Sequence, residues 1–79
     1  MKEGFIISNK VRKVVFAAIA SGEKRIEIAA KREHLALPQA ERALKELVEK
    51  DFIEAVEGEL NLTGEGEKAY QMLKKERLI

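Results

Sequence analysis

The chain has 79 residues and a formal net charge of +1, a size that predicts one domain spanning 1–79, near the limit where folding buries only ~60% of the unfolded surface. It has no cysteine, which excludes a disulfide framework and a thiolate metal site, and its single histidine, His34, cannot build a zinc site without carboxylates, so no cofactor or metal is expected. No apolar run approaches the roughly 20 residues of a membrane span, and the opening MKEGFIISNK lacks the apolar core and cleavage site of a signal peptide; a soluble cytoplasmic protein is expected.

In chain order, Val11, Val14, Val15, Ala18 and Ile19 recur at i, i+3, i+4, i+7 and i+8, one stripe of an amphipathic helix entered at Ser8-Asn9 and stopped near Ser21-Gly22. Phe16 lies off that stripe and must pack on something other than the facing helix. A shorter second helix is expected from Arg25 to about Glu33, burying Ile28, Ala29 and Ile26. Pro38 suits the first turn of a third helix, where its missing N–H costs nothing, and Ala40, Ala43, Leu44, Leu47 and Val48 mark its buried face as far as Lys50-Asp51. Phe52 to Val56 and Leu60 to Leu62 predict two strands around a Gly-containing turn. A lone hairpin is marginal in water, so it must pack on the helices. Thr63 is placed to cap a last helix from about Glu65, with Ala69, Met72 and Leu73 inward and Leu78 and Ile79 beyond its end. The fold class expected is mainly α with a small β-hairpin (α+β).

Two stretches carry a resemblance. EIAAKREHLALPQAERALKELVEKDFIE has an Ile-Ala pair on helix two, a turn, and a third helix whose "raLkeL" core runs into a strand; LNLTGEGEKAY has a strand followed by Leu62, Thr63 and Gly66 at the spacing of an "LT-x-x-G" helix start. Over about Glu27 to Tyr70 the chain resembles the winged helix-turn-helix transcription regulators of bacteria and archaea, the MarR-like and PadR-like groups. The resemblance implies a three-helix core, a wing and a C-terminal helix. It also implies binding to double-stranded DNA, transcription regulation and a homodimer matched to a two-fold operator. The sequence departs from the family pattern at the turn Glu33-His34-Leu35-Ala36-Leu37, which lacks the usual Gly. It departs again at Leu37-Pro38, where a Ser or Thr cap is common, and at Asp51, where Gly usually ends the helix. Asp tolerates the left-handed conformation needed there better than most residues.

Charge is divided unevenly along the chain. Residues 1–35 carry eight basic and four acidic side chains, a net of +4, whereas residues 36–62, with the third helix and hairpin, carry three and seven, a net of −4. Affinity for DNA comes mainly from Lys and Arg neutralising phosphates, so this balance opposes simple wing-first binding. Opposite the buried face of the third helix lie Pro38, Arg42, Lys45, Glu46 and Glu49. Following the resemblance, Gln39, Arg42 and Lys45 are expected to read the major groove. Arg25, Lys31 and Arg32, with Lys10, Arg12, Lys13 and Lys24 nearby, are expected to meet phosphates. The alternative for each is a solvated face with i,i+4 ion pairs. A competing function is a protein-interaction module whose acidic third helix and hairpin tip, Glu57-Gly58-Glu59, dock on a basic protein partner. Phe5, Phe16, Tyr70, Leu78 and Ile79 either form a dimer interface or fold onto one another within one chain. No enzyme is expected: nothing ties Ser8, Ser21, Thr63 or Tyr70 to His34 and a carboxylate, and Glu65 and Glu67 oppose a phosphate loop in TGEGEK.

Overall fold

A computed structural model describes residues 3–79; Met1 and Lys2, the start of the stretch read for a leader, lie outside the described residues. The elements run α1 (Glu3–Ile7), α2 (Lys10–Ala20), α3 (Ile26–Arg32), α4 (Leu37–Glu49), β1 (Ile53–Val56), β2 (Glu59–Leu62) and α5 (Gly64–Lys75). The fold is thus mainly helical with one two-stranded antiparallel hairpin. Helix α1 was not expected, because five residues are too few to display a helical period. It is held by burial: Ile6 is fully buried, and Phe5 and Ile7 lie against the core. Among the described residues no helix is long and apolar enough to cross a membrane.

Local chemistry starts and stops the helices. The Asn9 side chain accepts the Arg12 N–H at 3.0 Å and caps α2, and Thr63 Oγ1 accepts the Gly66 N–H at 3.0 Å and caps α5. Helix α4 has no side-chain cap and relies on Pro38 in its first turn. Helices α2 to α5 all end in the same left-handed turn. After α3, the Leu35 N–H bonds to Ala30 O at 2.8 Å and His34 N–H to Lys31 O at 3.3 Å, with His34 at φ 59°. The same pairing places Gly22 at φ 117° after α2, Asp51 at φ 65° after α4 and Arg77 at φ 60° after α5. The turn after α3 thus forms without glycine, and Asp51 adopts the conformation expected of it.

The core collects Val15, Phe16 and Ile19 of α2, Ile26 and Ala30 of α3, and Ala40, Ala43 and Leu47 of α4, closed by Phe52, Ile53, Leu60, Ala69, Leu73 and Ile6. Phe16 is at its centre, edge-on to Phe52 and Tyr70 with ring centroids 6.2 Å away in each case. Three burial expectations are corrected. Ile28 is 50% exposed because Ile26, Ala29 and Ala30 already fill the inward face of α3, and Ile28 points the opposite way. Val48 at 43% and Met72 at 40% lie on the flanks of their helices, beside the buried Leu47 and Leu73.

The hairpin pairs Ile53 with Leu62 through Val56 with Glu59, around Glu57 and Gly58 at φ 52° and 80°, the signs of a two-residue type I′ turn. Two backbone links hold it to the helices. The Leu60 N–H donates to Lys24 O at 2.9 Å, laying the segment before α3 along β2. The Thr63 N–H donates to Phe52 O at 3.1 Å while its hydroxyl donates to Asp51 O, tying the start of α5 to the end of α4. Gly66 lies so close to that junction that a β-carbon there would stand 2.0 Å from Phe52 O.

Candidate functional site

Helix α4 turns Ala40, Ala43 and Leu47 inward, and the 3.6-residue period therefore sends Pro38, Arg42, Lys45 and Glu49 outward in one row. Gln39 and Glu46 flank that row on the side of α2, where Asn9, Val11, Gln39, Arg42, Ala43 and Glu46 line an open cleft of about 240 Å³. Gln39, Arg42 and Lys45 are exposed, as are Arg25 and Lys31. Among the described residues none of these five makes an ion pair or a side-chain hydrogen bond within the chain. Their polar ends are available to a partner.

Three of the cations expected at phosphates are engaged inside the chain. Arg32, on α3, donates to Glu23 Oε2 at 3.1 Å, to Glu33 Oε2 at 3.4 Å and to Ser21 Oγ at 3.4 Å, so it clamps the α2–α3 turn. Lys24 spends its ammonium on Asn61 Oδ1 of β2. Arg12 is only 14% exposed: its Nη2 donates to Ser8 Oγ at 3.3 Å, its guanidinium carbon lies 3.9 Å from the centre of the Phe5 ring, and its Nε faces Glu46 Oε1 at 3.8 Å. The pairings of Arg32 with Glu23, Lys24 with Asn61 and Arg12 with Glu46 join residues nine or more apart in sequence, and no local pattern announces them.

The hairpin presents Glu54, Val56, Glu57 and Glu59 to solvent, with Val56 49% exposed, and Lys24 reaches it at Asn61, the cross-strand partner of Glu54. His34 is exposed in its turn, where its backbone angle is what the fold uses. Of the residues expected at a dimer interface, Phe16 is corrected: it is fully buried in this chain's own core. Phe5, Tyr70 and Ile79 are partly buried against the same core, and α1 packs on both α2 and α5. Leu78 stands 37% exposed. Among the described residues no group of three or more His, Cys, Asp or Glu is placed to hold a metal ion. No family model, curated protein or solved structure matches the chain.

Proposed function

We propose that this chain is a cytoplasmic winged helix-turn-helix protein that binds double-stranded DNA and regulates transcription, with α4 as the helix that enters the major groove. The observation that carries this reading is the exposed, unpaired polar ends of Arg42 and Lys45 in the outward row, with Gln39 on its flank, on a helix braced by α2 and α3. Arg42 suits the two acceptors of guanine, Gln39 the acceptor and donor of adenine, and Lys45 a phosphate. Arg25 and Lys31, equally free, hold phosphates on the flank, and the hairpin serves as the wing. Two chains on a two-fold operator double the contacts of a weakly charged domain. The exposed Met72 and Leu78 are the apolar side chains of α5 and its tail left for that pairing.

Titration of purified protein against a mixed duplex pool across a salt series tests the reading, with the mass in solution measured alongside. We expect retention at low salt and a log–log salt slope on the order of −3 for a chain engaging three phosphates through Lys45, Arg25 and Lys31. Arg42→Glu with Lys45→Glu abolishes retention. No binding at low salt overturns the proposal.

A second reading is favoured by the hairpin itself, which carries Glu54, Glu57 and Glu59 around the exposed Val56 and no Lys or Arg of its own. There the hairpin and the acidic flank of α4 dock on a basic protein, and DNA is not bound. Under that reading the Arg42 and Lys45 reversal leaves function intact.

A further inference from the structure

Arg12 occupies a place that neither its own helix nor the charge pattern explains. A guanidinium is always charged, yet this one is largely withdrawn from water, and its buried Nε has no hydrogen-bond partner. Stacking on Phe5 fixes its plane, and Glu46 is the carboxylate it faces. Glu46 follows Arg42 by four residues, the spacing at which opposite charges meet on a helix surface. Two other cations stand four residues from Glu46: Arg42 before it and Lys50, just past the end of α4, after it, the latter with its ammonium 5.4 Å from the Phe5 ring centre. Arg42 is nevertheless unpaired, and Glu46 is turned toward Arg12.

We infer that Arg12 is a positioning residue for the groove-facing side of α4: it draws Glu46 back against the body of the protein and so leaves Arg42 free for a base edge. This rests on the DNA-binding reading above. It has two consequences. The carboxylate at i+4 from Arg42 is paired before DNA arrives, which weakens its repulsion of the phosphates. Helix α1, through Phe5, contributes to DNA affinity without touching DNA.

The test is a double-mutant cycle on the whole chain, reading affinity for the mixed duplex pool and urea unfolding together. Arg12→Met is expected to weaken binding about two- to fivefold at low salt, the range of an exposed ion pair, and less at high salt. Glu46→Gln alone changes it by less than about twofold, since its charge is already compensated. The double variant returns to within about twofold of the parent, and Arg12→Lys, which keeps the charge, stays near it. Where Arg12→Met does not fold by the urea criterion, Arg12→Gln takes its place in the cycle. A loss from Arg12→Met that Glu46→Gln fails to rescue overturns the inference, because Arg12 then acts on DNA or on the fold directly. So does an unchanged affinity, which would mean that Lys50 takes over Glu46. A parent protein that binds no duplex at low salt instead overturns the DNA-binding reading, and this inference with it.

Discussion

At Gly66 the side chain is decided by an oxygen. A β-carbon would stand 2.0 Å from Phe52 O and 3.3 Å from Leu62 Cβ, and neither the backbone junction nor the strand can retreat cheaply. Gly64, two residues earlier in the same helix, has nothing within 4 Å of its β-carbon position. Gly66→Ala is therefore expected to lower the unfolding free energy by about 2 kcal/mol, whereas Gly64→Ala leaves it unchanged or raises it by up to about 1 kcal/mol. Urea unfolding of the two variants checks this, and equal effects would remove the close approach as the cause. The Leu62-Thr63-x-x-Gly66 pattern, which carried part of the family resemblance, is accounted for here by packing and capping. It says which backbones meet, and it is silent about ligands.

At the scale of elements, four helices close with the same turn, and only α2 uses glycine for the left-handed residue. The left-handed conformation crowds a β-carbon against the carbonyl, so His34 and Arg77 each carry a cost that glycine would relieve, partly offset by glycine's greater freedom when unfolded. His34→Gly and Arg77→Gly are each expected to raise the unfolding free energy by about 0.5 kcal/mol, additively because the two turns lie on different helices. A thermal melt that moves down for either variant would mean that its side chain has a stabilising role beyond the turn. The end of α4 at Asp51 was readable from residue type, and the turn at His34 was not, because histidine is a weak signal for it. Helix α1 was invisible for a different reason: it is specified by where Ile6 is buried.

For the molecule as a whole, the +4 and −4 halves of the sequence do not translate into one basic and one acidic face. Arg12 and Arg32 are drawn into internal pairs, and Glu46, Glu23 and Glu33 go with them. The acidity that remains unpaired includes Glu54, Glu57 and Glu59 on the hairpin. If the hairpin flanks DNA as a wing, Glu57→Lys with Glu59→Lys should strengthen duplex binding by at least about tenfold at low salt and steepen the salt slope by up to about 2. Unaltered DNA affinity in that variant would place the hairpin away from the duplex, and loss of capture of a basic protein would favour the second reading.

The sequence alone determined the order of elements from α2 onward and the α+β class, because helical and strand periods, Pro38, Thr63 and the Glu57-Gly58 turn act over a few neighbours. It also marked Arg42 and Lys45 as outward, since the period of α4 is long enough to fix its faces. Tertiary structure decided which charges are free. It turned Ile28, Val48 and Met72 outward, placed Phe16 inside between Phe52 and Tyr70, and paired Arg12 with Glu46 and Lys24 with Asn61. Those outcomes depend on which distant segments share a surface, and periodicity along one helix carries no record of its neighbours.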